Sequence, residues 1–143
     1  MIRIGKMTDY GIVLLSYFAK DSERPVLNAR DLAVESCIPL PTVSKILKVL
    51  SRGELLVSQR GANGGYRLAK PPHEISVSEI IAKFEGPIAM TECNAHDGLC
   101  ELEPMCPVTA NWRKINHVVR NALDGLTLAD MAQPISALRL RGK

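Results

Sequence analysis

Residues 37–69, CIPLPTVSKILKVLSRGELLVSQRGANGGYRLA, decide the fold of this chain. Pro41 suits the first turn of a helix, and the apolar residues after it recur at the spacing of one helical face. The stripe predicted to be buried is Val43, Ile46, Leu47 and Leu50. A polar and basic outer face on such a helix, after a short helix and a tight break, is typical of a helix-turn-helix.

The outer face of this helix carries the first predicted DNA contacts. They are Thr42, Ser44, Lys45, Lys48 and Arg52. Asn28 is the predicted N-cap of the shorter helix before it, in which Leu32 and Ala33 face inward. From these two helices alone, a plain αα-hairpin is the alternative.

A glycine-rich hairpin is predicted next. Residues 55–69 form two strand-like runs, in which Val57, Tyr66 and Leu68 alternate with polar neighbours. The glycines at the tip supply the positive φ of a tight turn, and arginines beside them can reach phosphates or a minor groove. The predicted DNA contacts of this wing are Arg60, Asn63 and Arg67. A wing after the basic helix favours a winged helix over the αα-hairpin.

Two further helices are predicted around this unit. The first has Thr8 or Asp9 as its cap and a single apolar stripe. That stripe is Tyr10, Val13, Leu14, Tyr17 and Phe18. The other begins at a capping-box spacing in residues 76–79. Its inward residues are Val77, Ile80, Ile81 and Phe84.

A last long helix is predicted for residues 107–126, and its apolar residues step by three and four as in a seam between two helices. The predicted interface residues are Trp112, Ile115, Val119, Ala122 and Leu126. A homodimer is favoured over packing within one chain, because a winged helix usually needs two copies to read a two-fold operator. The predicted fold class is mainly α with a small β-hairpin wing, a winged helix-turn-helix plus a long C-terminal dimerisation helix.

The net charge of +3 is unevenly distributed. Residues 1–70 carry eleven Lys and Arg against six Asp and Glu, or +5. Residues 71–112 carry one Lys against seven Asp and Glu, or −6. Residues 113–143 carry six Lys and Arg against two Asp, or +4. A basic first part indicates a polyanion-binding module, and uneven solvation of one domain is the alternative.

Membrane insertion and enzymatic activity are not expected. The longest uncharged apolar run has ten residues, residues 10–19, whereas a membrane-spanning helix needs about 20. No signal-peptide cleavage pattern follows it, which favours a cytoplasmic protein. His73 and His117 stand alone in unrelated segments, so neither catalysis nor a small-molecule substrate is expected.

Three of the four cysteines lie in CNAHDGLCELEPMC, within a cysteine loop at residues 88–106. The spacings between Cys93, Cys100 and Cys106 are wider than the C-x2-C pairs of zinc fingers and ribbons, so an iron–sulfur cluster is favoured over structural zinc. Cys106 also precedes a helix N-terminus, which stabilises a thiolate. Cys37, at the break before the basic helix, is predicted to be a small packed residue.

MTDYGIVLL (residues 7–15), residues 38–70, the three-cysteine loop and the closing helix together resemble the iron–sulfur winged-helix transcriptional regulators of the IscR and NsrR type. The resemblance covers nearly the whole chain and is closest to the regulators of SUF-type cluster assembly genes. It implies a homodimer on a double-stranded DNA operator, with Cys93, Cys100 and Cys106 as cluster ligands. The implied units are a DNA-binding domain (1–87), the cysteine loop, a dimerisation helix (107–126) and a tail (127–143), which is predicted to be frayed.

The fourth ligand departs from one branch of that family. IscR-type members place a histidine three residues after the last cysteine, where this chain has Thr109. NsrR-type members take an acid from the first helix of the partner subunit, and Asp9 stands at the matching position. Asp9 is therefore preferred to His96 in the loop, and [2Fe–2S] is slightly favoured over [4Fe–4S].

The resemblance implies a regulator whose cluster controls its affinity for DNA, acting on suf-type genes. Two alternatives stay open from the sequence. One is a zinc-stabilised winged helix that binds other proteins. The other is a repressor of the same family that senses nitric oxide or redox state.

Overall fold

Within residues 2–20 and 24–133, which it describes, the computed structural model contains seven α-helices, two 3₁₀ turns and one two-stranded antiparallel hairpin. The helices are α1 (Lys6–Lys20), α2 (Ala29–Ser36), α3 (Leu40–Arg52), α4 (Val77–Glu85), α5 (Glu92–Ala95), α6 (Thr109–Asp124) and α7 (Leu128–Met131). The hairpin strands are β1 (Leu56–Gln59) and β2 (Gly65–Leu68), and the 3₁₀ turns are Pro72–Glu74 and Glu103–Met105. The predicted mainly α class with a hairpin wing is confirmed.

The core forms around α3. Its predicted stripe is confirmed, because all four side chains are 0% exposed. On α1 the buried face is Leu14, Leu15 and Phe18, whereas Val13 is 37% exposed, contrary to the predicted stripe. The difference arises because α1 turns its Gly11 face toward the ring of Phe84 on α4, which rotates Val13 outward.

The N-terminus of α1 is capped from a distant part of the chain. The helix begins at Lys6, so Thr8 and Asp9 lie inside its first turn and the prediction that one of them is the cap is wrong. Glu85, the last residue of α4, accepts hydrogen bonds from the Gly5 N–H and the Thr8 hydroxyl, both at 2.7 Å. A carboxylate at this position satisfies a free amide and faces the positive helix end. It also fixes the start of residues 86–90, here called the strap, whose last three residues begin the cysteine loop.

The turn between α2 and α3 differs in one residue from the prediction. Asn28 caps α2 as expected, accepting a hydrogen bond from the Asp31 N–H. Cys37, predicted to be packed, is exposed, because it ends α2 in the left-handed region at a φ of 60°. The chain reverses there and Ile38, 6% exposed, takes the inward position instead.

The wing pairs Leu56 with Leu68 and Gln59 with Gly65. Leu55 and Leu56 are buried and Val57 is 37% exposed, so Val57 lies on the outer face of the hairpin. Side chains alternate along a strand, and burying Leu56 at its first position turns its neighbour outward.

Leu27 holds the base of the hairpin against the body. It pairs with Tyr66 through two backbone hydrogen bonds of 2.9 and 2.8 Å. A Cβ at Gly65 would lie 2.5 Å from the Leu27 carbonyl oxygen, so this close approach requires glycine.

The C-terminal end of α6 joins α4 through backbone and side-chain contacts. The Val77 N–H donates to the Leu126 carbonyl and the Leu128 N–H to the Ile75 carbonyl, each at 2.8 Å. The Ser78 hydroxyl also donates to Asp124 at the end of α6. None of the described helices is long and apolar enough to cross a membrane.

Residues 127–133 are ordered and part of the fold, unlike the predicted frayed tail. Thr127 and Asp130 form a capping box that starts α7, and Leu128 is fully buried in the core beside α1. The capping box starts the helix, and the burial of the apolar side chain that follows it anchors the segment to the core. The rest of the predicted tail, residues 134–143, lies outside the described residues.

Candidate nucleic-acid interface and cysteine loop

The outer face of α3 presents the predicted DNA contacts to solvent. Lys45, Lys48 and Arg52 are exposed, and Thr42 and Ser44 are half-buried beside them. Among residues 2–20 and 24–133, no carboxylate forms an ion pair with any of these three cations. Cations without a protein counter-ion are available to neutralise phosphates.

The wing adds a second cationic surface directly after α3. Arg60, Asn63 and Arg67 are all exposed, and neither arginine pairs with a carboxylate in the described parts of the chain. The tip is tight, since a Cβ at Gly64 would lie 2.6 Å from the Gln59 carbonyl oxygen. Because β1 packs on α3, the helix and the hairpin form one continuous unit.

The cysteine loop carries three free, half-buried thiols. Cys93 lies in the short helix α5, and its Sγ is 3.1 Å from the Thr91 hydroxyl. Cys106 ends the second 3₁₀ turn, three residues before α6 begins. On the outer side of the loop, Glu103 accepts from the Gly98 N–H at 3.2 Å and pairs with Arg113 of α6 at 2.8 Å.

The pKa of the Cys106 thiol is lowered, first by the Thr109 side chain and then by the backbone of Val108 and Thr109, while burial acts in the opposite direction. The Thr109 hydroxyl is buried and makes no hydrogen bond of ordinary geometry within the described residues, although it lies beside this sulfur. Thr109, at the histidine position of one family branch, therefore places an otherwise unpartnered hydroxyl, within the described residues, where it can donate to the Cys106 thiolate.

The donor chemistry fits an iron–sulfur cluster, because such clusters take thiolates and this loop supplies three thiols. Within the described ranges, however, no three His, Cys, Asp or Glu side chains lie close enough to hold a metal ion. Asp9 is exposed in the first turn of α1, beside a groove that also includes Ile12, Leu123 and Leu126. His96 is exposed at the end of α5.

The predicted seam on α6 is largely exposed in the single chain. Ile115 and Leu126 are each 45% exposed and Trp112 is 37% exposed. Ala122 is also exposed, while Val119 is half-buried against the body. Val118, 67% exposed, extends this apolar surface and was missed by the strict heptad pattern.

Sequence reasoning also missed Asn116, the buried polar residue of α6. Its side-chain amide bonds to the backbone of Ile88 and Met90 in the strap. The available signal was one polar residue at helical spacing with Val119 and Leu123, the apolar positions of the inner face.

A helix-turn-helix with an outward cationic helix, followed by a hairpin wing, defines a winged-helix DNA-binding regulator. Residues 4–134 match the Rrf2 family, described as iron-dependent transcriptional regulators, and the chain belongs to this family. Like its relatives, it is a transcriptional regulator and not an enzyme.

Relatives and solved structures agree with this assignment. The HTH-type transcriptional regulator NsrR of Geobacillus kaustophilus is 30% identical over 139 residues, which cover 96% of this chain and 95% of that protein. The structure of CymR, the global cysteine regulator of B. subtilis, has a TM-score of 0.72 at 26% identity, covering 92% of this chain and 97% of that one. The structure of T. potens IscR has a TM-score of 0.71 at 25% identity, covering 99% of this chain and 94% of that one.

The position of Thr109 predicts a pH effect. Its hydroxyl favours the Cys106 thiolate, so Thr109→Val should raise the pKa of Cys106 and slow its alkylation by iodoacetamide at neutral pH. Thr109→Ser should keep the wild-type profile. The measurement is the pH dependence of Cys106 labelling in cluster-free protein by mass spectrometry. An unchanged midpoint in Thr109→Val contradicts the assignment, and Thr91→Val beside Cys93 is the matched control.

Proposed function

We propose that two copies of this chain bind a double-stranded DNA operator in the cytoplasm and that an iron–sulfur cluster on the cysteine loop controls their affinity for it. The observation that supports this proposal best is the placement of three free thiols between the winged helix and α6. The wide spacing of the cysteines and the likeness to an NsrR and an IscR favour a cluster over structural zinc. The proposed targets are suf-type cluster assembly genes.

Cys93, Cys100 and Cys106 are the proposed thiolate ligands, with Asp9 of the second copy as the fourth ligand and [2Fe–2S] as the preferred cluster. Bound there, the cluster supplies a centre that responds to iron–sulfur supply, nitric oxide or redox state. Asp9 is free to serve a second copy, because it is exposed and, among the described residues, makes no side-chain hydrogen bond or ion pair.

In this proposal α1 connects the cysteine site to the DNA surface. Its first turn carries Asp9, and its buried face, with Leu14 and Leu15, packs against α3. A packed core has few intermediate arrangements, so a shift at the start of α1 is passed on to α3 as a whole. The spacing between the two basic helices of a dimer is the quantity that such a shift alters.

The DNA contacts divide by role. Thr42, Ser44 and Lys45, at the start of α3, are proposed to read bases, while Arg60 and Arg67 bind the sugar–phosphate backbone. Arg67→Ala should weaken binding to all sequences alike and reduce the slope of log affinity against log salt by about 0.9. Fluorescence anisotropy with operator and random DNA measures both quantities. Lys114→Ala, an exposed cation on α6, is the control, and relaxed sequence preference with an unchanged slope contradicts the role of Arg67.

The dimer is proposed to form along the exposed apolar surface of α6. Ile115→Glu places a charge in this seam, at a cost of several kcal/mol, and should yield monomers in sedimentation and weak operator binding. Lys114→Glu changes the charge at an adjacent exposed position and should stay dimeric. A dimer that persists in Ile115→Glu places the interface elsewhere.

The cluster and its fourth ligand can be tested together. Anaerobically purified protein should be brown, with iron and sulfide in equal amounts, whereas a zinc protein is colourless. Asp9→Ala should fold and dimerise but give an altered or more fragile cluster spectrum, and its DNA affinity should no longer depend on the cluster. His96→Ala should match the wild type. If His96→Ala loses the cluster while Asp9→Ala keeps it unchanged, the fourth ligand lies within the loop.

A further inference from the structure

Asn116 is the one buried residue of α6, a helix that the structure describes in full, and only 6% of it is exposed. Its side-chain amide makes two hydrogen bonds, both to the backbone of the strap. The Met90 N–H donates to Oδ1 at 2.9 Å, and Nδ2 donates to the Ile88 carbonyl oxygen at 3.2 Å. Burial of an amide is unfavourable unless both its groups are bonded, and here both are.

These two bonds have a recognisable geometry. In a parallel β-sheet, one residue bonds in the same way to two backbone groups of the adjacent strand. These are the carbonyl of the residue before its partner and the N–H of the residue after it. Here that partner residue is Ala89, between Ile88 and Met90. The pairing needs a donor and an acceptor on one side chain, which only the amides of Asn and Gln combine at a fixed geometry. Aspartate lacks the donor, and leucine, of similar size, lacks both groups.

The two bonded segments are the two ends of the cysteine loop. Met90 lies three residues before Cys93, and α6 begins three residues after Cys106. The Met90–Asn116 bond spans 26 residues, so it closes the whole loop at its base. A second side-chain contact, the 2.8 Å ion pair of Glu103 (16% exposed) with Arg113 (57% exposed), attaches the second 3₁₀ turn near Cys106 to α6 and leaves the strap to Asn116.

We propose that Asn116 is a positioning residue, which holds Cys93 at a set distance from Cys106 by joining the strap to α6. The contact belongs to the cluster-free chain and is independent of any metal. Its importance for a cluster rests on the proposed function, since ligands of one centre must converge from both ends of the loop. Asn116 itself is not proposed as a ligand.

The first experiment measures the strap in cluster-free protein. Asn116→Leu should accelerate amide hydrogen exchange at Met90 by about tenfold, the effect of removing one hydrogen bond. The Val77 amide, which is bonded to Leu126 at the other end of α6, should exchange at the wild-type rate. Asn111→Leu, an exposed asparagine of the same helix, is the matched control. Asn116→Ala, which removes both the acceptor for Met90 and the donor to Ile88 and adds no bulk, serves if Asn116→Leu does not fold.

The second experiment measures the two cysteines directly. Spin labels are attached to Cys93 and Cys106 in a Cys37→Ser, Cys100→Ser background, and labelled chains are diluted with excess unlabelled chains so that only distances within one chain contribute. The distance distribution from double electron–electron resonance should be broader in Asn116→Leu than in the wild type and unchanged in Asn111→Leu.

The outcomes separate positioning from general stability and from the proposed function. An unchanged Met90 rate or distance distribution in Asn116→Leu overturns the proposal, as does equal acceleration at Val77, which means that α6 detaches as a whole. Anaerobic reconstitution then gives the iron content and cluster spectrum of each variant, with an altered spectrum expected in Asn116→Leu. If the wild type takes up no cluster, the proposed function fails, whereas exchange and distances still decide the role of Asn116.

Discussion

The burial of one face of α3 is the constraint on which the rest of the structure depends. Its four apolar side chains are fully buried, and each contributes about 1.5–3 kcal/mol relative to an exposed position. A helix is nearly rigid, so fixing this face also fixes the opposite one, where Lys45, Lys48 and Arg52 lie. The cationic surface is therefore oriented by the core. Because β1 and α1 pack on the same helix, the wing and the first turn of α1 take their positions from it as well.

The helix α6 is unusual because its inner face is polar at the point of deepest burial. Asn116, Asp124 and the backbone of Leu126 attach it to the strap and to α4. Trp112, Ile115 and Val118 remain exposed on the outside, in contrast to an ordinary amphipathic surface helix. Polar contacts can hold the helix on its own chain while the apolar surface stays available to a second copy. This division of faces is the structural basis of the proposed dimer.

Local patterns predicted the elements well, and the errors concern which neighbour a side chain meets. The spacing of apolar residues identified the buried face of α3, and the glycines of residues 61–65 identified the wing. Alternation in the wing gives two faces without naming the buried one, and the structure places Val57 on the exposed face. Cys37 was predicted to be packed, but it is exposed. The residue type does not reveal the left-handed backbone turn that exposes it. The prediction of a frayed tail was wrong for residues 127–133, although the sequence contains the capping-box residues of α7.

The sequence by itself determined the helix-turn-helix, the wing and the three thiols on one loop, because each depends on spacing within a short stretch. Only the tertiary structure decided that Glu85 caps α1, that Asn116 holds the strap and that Leu128 completes the core. These contacts join residues far apart in the chain. Periodicity shows that a side chain faces inward, but the packing of whole elements selects the partner that it meets there.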